Sequence, residues 1–236
     1  MLLLSELFDY LSSGEFAQLS IGGLKEGGIR ELDYPRLINL TNLGLLEIYK
    51  RLPLKVRELR LDLQDGVSNY KLHTDHAYTD PNSTDDTDYP KWLIDSAANP
   101  FTDDVLFIQE VYDELGNELP LNDDYEDDSV FTPIYDTIQV PYARADITLA
   151  VIYRASPTKI SNATIDPTSV RVPIPDQLID ALAAFIAYKV TAPLTDESDS
   201  KFSFSAFEAS IARVKKYGLE NYENNTNQKL WRKGWV

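Results

Sequence analysis

The hydrophobic period of the chain changes twice, and this constrains the fold more than any single motif. Leu4, Leu7, Phe8 and Leu11 share one helical face, and Ser12-Ser13-Gly14 ends the run. Gly22-Gly23 and Gly27-Gly28 mark a flexible connection. Asp33-Tyr34-Pro35 then supplies a cap-type residue followed by a proline in the first turn, where its missing N–H costs nothing. Leu37, Ile38, Leu40, Leu45, Leu46, Ile48, Tyr49 and Leu52 continue a broad apolar face that Pro53 stops. Lys50 and Arg51 sit at its end, where the helix dipole favours cations. From Val56 the period becomes two, with Leu59, Leu61 and Leu63 alternating with polar residues before an Asp65-Gly66 turn. Further strands are expected at residues 105–112, 118–121, 129–135, 136–140 and 147–155, with a hairpin turn at Glu114-Leu115-Gly116-Asn117 between the first two. The last of these is nearly all apolar, which places it inside a sheet. The helical period returns at Pro173-Ile174-Pro175-Asp176 and runs through Leu178, Ile179, Leu182, Ala183, Phe185, Ile186 and Val190 to Pro193. Ser205-Ala206-Phe207-Glu208 reads as a capping box opening a fourth helix, which Gly218 closes.

Two helices, about six strands and two more helices predict an α+β chain: a four-helix bundle with an antiparallel β domain inserted between the second and third helices. The helical parts are expected at residues 1–54 and 173–218, the β domain at 55–172, and an extended tail at 219–236. Charge follows the same division. The chain holds 22 Lys+Arg against 38 Asp+Glu, a net charge of −16. Between Asp62 and Asp128 there are 19 acidic residues and only Lys71 and Lys91 to oppose them, so the other 169 residues are nearly neutral. Asp85, Asp86 and Asp88, and then Asp123, Asp124, Glu126, Asp127 and Asp128, form two acidic loops. The polar span of residues 73–89 is expected to be an exposed excursion.

These features exclude several functions. A surface this acidic does not wrap phosphate backbones by releasing counterions. Cysteine is absent, which removes disulfides, thiolate zinc sites and thiol nucleophiles together. No apolar run approaches the roughly 18 residues of a membrane span. Met-Leu-Leu-Leu lacks the flanks of a signal peptide, so a soluble cytosolic setting is expected. No nucleophile elbow, Walker loop or dinucleotide fingerprint is present, so neither catalysis nor a cofactor is expected. His73-Thr74-Asp75-His76, with Asp80, carries zinc- or manganese-ligand types. In a polar loop nothing would fix their geometry, so a solvated loop is the plainer reading and no metal is expected. The aspartate runs carry oxygen ligands suited to calcium without the EF-hand spacing. Paired carboxylates can serve glycoside hydrolysis, but with 38 acids spacing singles out no pair. From Arg213 to Val236 six basic residues face only Glu220 and Glu223. Tyr217, Tyr222, Lys229, Trp231, Arg232, Lys233 and Trp235 there are the expected partner-binding residues, since Trp and Arg are common interface anchors. The alternative is that this tail folds back over the helices.

Two stretches carry a family resemblance. One is Asp33-Tyr34-Pro35-Arg36-Leu37-Ile38-Asn39-Leu40, continuing through Gly44-Leu45 and Ile48-Tyr49-Lys50-Arg51-Leu52-Pro53-Leu54-Lys55. The other begins Asn99-Pro100-Phe101-Thr102-Asp103-Asp104-Val105-Leu106-Phe107-Ile108-Gln109-Glu110-Val111-Tyr112-Asp113-Glu114-Leu115-Gly116. It continues in Leu121-Asn122-Asp123, Ser129-Val130-Phe131-Thr132-Pro133, Asp136-Thr137-Ile138-Gln139-Val140-Pro141 and Val151-Ile152-Tyr153-Arg154-Ala155. Over roughly residues 30 to 190 the chain resembles the head-to-tail adaptor (connector) proteins of tailed bacteriophages, short-tailed ones in particular. The resemblance implies a structural virion protein at the head-to-tail interface. It implies a ring of copies, usually twelve-fold, docked on the portal and extending the DNA channel toward a tail tube or nozzle protein. It also implies a C-terminal segment that reaches into the portal. Double-stranded DNA would pass through such a ring without sequence-specific binding, and no membrane is involved. Acidic residues facing the lumen would keep DNA from sticking; the alternative places them on the outer rim. The span of residues 73–89 matches no family feature. A carbohydrate- or calcium-binding module is the competing reading, motivated by 14 Tyr and the acidic loops.

Overall fold

A computed structural model describes residues 2–14, 16, 29–78, 89–96, 100–162, 166–192 and 197–218. Among these the fold is mixed α+β, with four helices and two sheets. The helices are α1 (Leu4–Ser13), α2 (Tyr34–Arg51), α3 (Ile179–Thr191) and α4 (Glu197–Lys216). The strands are β1 (Val56–Asp62), β2 (Asn69–Lys71), β3 (Ala77–Tyr78), β4 (Leu93–Ile94), β5 (Val105–Tyr112), β6 (Phe131–Ile134), β7 (Thr137–Gln139) and β8 (Thr148–Ala155). The chain divides into two compact units. Met1–Leu54 with Pro157–Val236 forms a helical unit, and Lys55–Ser156 forms a β unit.

The helical unit is organised around α3. Every residue from Ala181 to Ala187 is buried, so the middle of this helix has no solvent face, while Asp180 and Lys189 nearer its ends are exposed. It packs against α1, α2 and α4. α1 offers Leu4, Leu7, Phe8 and Leu11, as their spacing predicts. Glu6 reaches back to accept the Leu3 N–H at 2.7 Å, and Gly14 closes the helix. α2 presents Leu37, Ile38, Thr41, Leu45, Ile48 and Tyr49. Its start differs from the expected cap. A 3-10 turn over Glu31–Asp33 leads into it, and the Asp33 carboxylate pairs with Arg30 at 3.0 Å instead of capping. α4 begins at Glu197, not at Ser205. Its buried stripe of Ser203, Phe207, Ser210, Ile211 and Val214 includes two serines, so the stripe extends further than apolar residues alone reveal. Arg51 joins α2 to α4, with guanidinium nitrogens 2.9 Å from Glu47 and 2.5 Å from Glu208, and it lies over the Phe207 ring.

The return to helical packing comes earlier than residue 173. The described residues 157–162 and 166–172 belong with the helices because Ile160 and Val172 fill the helical core. Asn42 grips this segment on both sides, donating to the Ile160 carbonyl at 2.8 Å and accepting its N–H at 2.9 Å. The Leu4 N–H donates to Val170 and the Val172 N–H to Leu2, both at 2.9 Å, which fixes α1.

In the β unit one sheet runs β3-β4-β1-β8-β5 and a second runs β2-β7-β6. All pairs are antiparallel except β3 with β4, a parallel pair that the expected antiparallel domain lacks. β8 is interior as predicted, with Leu149, Val151, Tyr153 and Ala155 on its buried face. These pack with Leu59, Leu61, Trp92, Ile108 and Val111. The start of the 73–89 span is not an excursion. Thr74–His76 forms a 3-10 turn, β3 joins the sheet, and Asp103 accepts from the Thr74 N–H and hydroxyl. The His76 ring stacks on Trp92 with centroids 3.8 Å apart, so aromatic contact rather than apolar alternation anchors it. Residues 79–88, including Asp80, lie outside the described residues.

α2 comes close to α3 at Gly44. A Cβ there would stand 2.6 Å from Leu182 Cδ1 and 3.0 Å from Phe185 Cδ1. Gly44→Val overpacks this crossing and is expected to lower the stability of the helical unit by about 2 kcal/mol in urea denaturation. Gly44→Ala is expected to stay within about 1 kcal/mol of the parent, because improved helix propensity offsets the crowding.

Candidate functional site

The two units differ sharply in charge. Lys55–Ser156 holds 7 basic and 22 acidic residues, whereas the helical unit holds 15 and 16. Nearly all the net charge is therefore carried by the β unit, and much of it projects from two built loops.

The first loop follows β5. The Asp113 carboxylate accepts the Leu115 N–H at 2.9 Å, the Asn117 N–H at 2.8 Å and the Asn117 side-chain amide at 2.9 Å. Asn117's side chain and then its backbone N–H hold the Asp113 carboxyl below the usual carboxylate range. Gly116 closes the turn at φ +80°, a left-handed conformation that glycine adopts without strain. Leu115 stands at the tip, 86% exposed.

The second loop holds the expected carboxylates. Asn122, at φ +59°, accepts the Thr132 N–H at 2.8 Å and donates to its hydroxyl at 2.9 Å. Asp123 accepts the Tyr125 N–H at 3.0 Å, and its own N–H donates to buried Ser129. Within this frame Asp123, Asp124, Glu126, Asp127 and Asp128 are all solvent-facing, and Tyr125 is 96% exposed. The structure thus brings these five residues together; Asp85, Asp86 and Asp88 lie outside the described residues. Among the described residues no group of three or more His, Asp or Glu is placed to hold a metal ion. His73 Nδ1 accepts the Asp75 N–H, and His76 Nδ1 lies 2.8 Å from the Pro90 carbonyl oxygen.

The end of α4 is the second candidate surface. Arg213, Lys215 and Lys216 are exposed in its last turn, where the exposed carbonyls favour cations. Tyr217 follows, 66% exposed, and Gly218 at φ +64° ends the helix through a bond from its N–H to the Lys215 carbonyl. Tyr222, Lys229, Trp231, Arg232, Lys233 and Trp235 lie outside the described residues. Sequence reasoning overlooked Phe202, which is 77% exposed on α4. Its spacing from Phe207 placed it off the buried stripe, and that was the available signal.

These surfaces carry exposed charge and isolated apolar tips. No helix among the described residues is long and apolar enough to cross a membrane. No curated protein matches the chain. A family model described as SU10 adaptor protein matches residues 14–229. The chain therefore belongs to the SU10 adaptor protein family and is a phage adaptor, a structural virion component of the head–tail junction, where adaptors meet portal and tail components.

Proposed function

We propose that this phage adaptor forms a ring between portal and tail and extends the DNA channel, with its C-terminal segment docking into the portal. The observation that carries this is the family match across residues 14–229. The helices act as a four-helix bundle with the β domain inserted between the second and third, and residues 219–236 act as the extended partner-binding tail. Copies contact one another head to tail, because a heterologous surface that closes on itself generates a ring. About twelve copies, as in the short-tailed phage adaptors that the sequence resembles, complete it. A tail tube or nozzle protein takes the opposite side.

Charge supports this arrangement. The basic end of α4 continues into Lys229, Arg232 and Lys233, which suit an acidic portal surface. Tyr217, Tyr222, Trp231 and Trp235 supply the apolar anchors between them. Asp123, Asp124, Glu126, Asp127 and Asp128, with Asp85, Asp86 and Asp88, line the channel or its rim. There, like charge lets DNA slide past without adhering.

The test is to mix the full chain, and a chain ending at Gly218, with the portal ring of the same phage and weigh the complexes. The full chain is expected to bind in multiple copies, more weakly at high salt. The shortened chain is expected to lose at least about thirtyfold in affinity, since each tryptophan anchor contributes on the order of 2 kcal/mol. Undiminished binding by the shortened chain would remove the tail as anchor. Failure of the intact chain to bind would move the acidic loops and exposed Tyr125 to the front, as a tail-associated carbohydrate- or calcium-binding module.

A further inference from the structure

The β unit begins at Lys55 and ends at Ser156, so the chain enters and leaves it at these two residues. One carboxylate touches both. Asp104 is 5% exposed and is the one buried charged residue among the described residues. Its Oδ2 lies 2.8 Å from Lys55 Nζ and 3.2 Å from Arg57 Nη1. Its Oδ1 accepts the Tyr153 hydroxyl at 3.0 Å. Its backbone carbonyl accepts the Ser156 N–H at 2.6 Å. Lys55 Nζ donates in turn to the Ser156 carbonyl at 3.3 Å, and the Ala155 N–H donates to the Lys55 carbonyl at 2.9 Å.

The chain around Asp104 is shaped to hold it there. Asp103 sits at φ +54°, a left-handed conformation that costs energy for a residue with a Cβ. Its own carboxylate is tied to Thr74 on the far side. Just beyond, the pairing of β5 with β8 slips between Val105 and Phe107. Arg57 is braced as well, donating from Nη2 to the Pro100 carbonyl at 2.9 Å. A hydrophobic residue in place of Asp104 would leave Lys55, Arg57 and the Tyr153 hydroxyl without this acceptor.

We propose that Asp104 is a latch that holds the entering and leaving strands of the β unit together, so that its base opens when the charge on Asp104 is lost. The latch lies wholly within the β unit. It closes the first and last turns of that unit's chain against local fraying, which is where the ends of a strand pair otherwise open first.

The charged groups around it set the sign of its pH dependence. Lys55 and Arg57 face Asp104 from the entering strand, and Tyr153 faces it from β8. Asp95 acts on Tyr153 from further away, and Asp103 is engaged by Thr74. Burial alone would raise the Asp104 carboxyl. The Lys55 hydrogen bond and the charges of Lys55 and Arg57 outweigh it and hold the group below its usual range. Burial, and then the charge of Asp104, push the Tyr153 hydroxyl up, so it remains a donor. A depressed carboxyl contributes stability that is fully present above its unfolded value of about 4 and is lost as pH falls through its folded value. The latch is therefore closed at neutral pH and opens only in acid.

Hydrogen exchange on the full chain tests this, comparing the parent with Asp104→Asn, which keeps the size and one acceptor but removes the charge. The amides of Arg57, Ala155 and Ser156 are expected to exchange at least about tenfold faster in the variant, as loss of a charge-assisted hydrogen bond predicts. Leu61 and Leu149, at the far end of the same strand pair, are expected to keep their protection. After correction for intrinsic rates, opening at the base of the parent should grow below about pH 4, and the variant should not show this growth. Tyr153→Phe, which removes only the hydroxyl, should show a smaller opening with the acid dependence retained. A uniform rise across the whole β unit would mark Asp104 as an ordinary core residue and overturn the proposal. So would unchanged exchange at the base in Asp104→Asn.

Discussion

The middle of helix α3 is buried on every side, and the helical unit depends on that. A helical stretch without a polar face must be surrounded, and four of the seven residues from Ala181 to Ala187 are alanines that let neighbours come close. α2 meets it with Gly44, and α4 sets Phe207 edge-on to Phe185 at 5.4 Å. Two of its three partners, α1 and α2, come from a distant part of the sequence. α1 and α2 precede the β unit, and α3 and α4 follow it. The core of the helical unit therefore joins the two ends of the described chain, and the packing of α1 and α2 on α3 closes only after the 102 residues of Lys55–Ser156 have been spanned. The described residues 157–162 and 166–172 are drawn into this core for the same reason, since Asn42 and α1 supply bonding partners for their backbone.

The second constraint is charge. An acidic excess of 22 to 7 confined to one unit produces self-repulsion there that the near-neutral helical unit does not share. The β unit tolerates it by displaying acids on loops whose backbones are tied by Asp113, Asn122, Asp123 and Ser129. Rigid loops keep the carboxylates exposed and apart from the core.

Much of this was legible in the sequence, because the strongest signals were physical. Pro35 and Pro53 bracket α2, and Leu59 and Leu61 with the apolar run of β8 identify the two long strands that pair along their full length. What escaped had no period to show. β2, β3 and β4 are two or three residues long, and β3 is held by the parallel pairing with β4 beside the stack of His76 on Trp92. The first turns of α4 were hidden because buried Ser203 reads as polar. Among the candidate contact residues, the acidic loop of residues 123–128 was visible from composition. Phe202 was marked only by its spacing from Phe207, which sets it off the buried stripe. Asp104 was equally hidden, one acid among the 19 between Asp62 and Asp128, distinguished only by burial and by Lys55 and Arg57 converging on it.

The account rests on assembly through the C-terminal segment with the acidic loops left free to face the channel or its rim. The most direct measurement is an electron cryomicroscopy reconstruction of the chain assembled on its portal ring, at a resolution that traces side chains. The account predicts a closed ring of copies, with Trp231 and Trp235 seated on the portal and the loop of residues 123–128 making no portal contact. A reconstruction in which copies grip the portal through that loop, with residues 219–236 unattached, would contradict it.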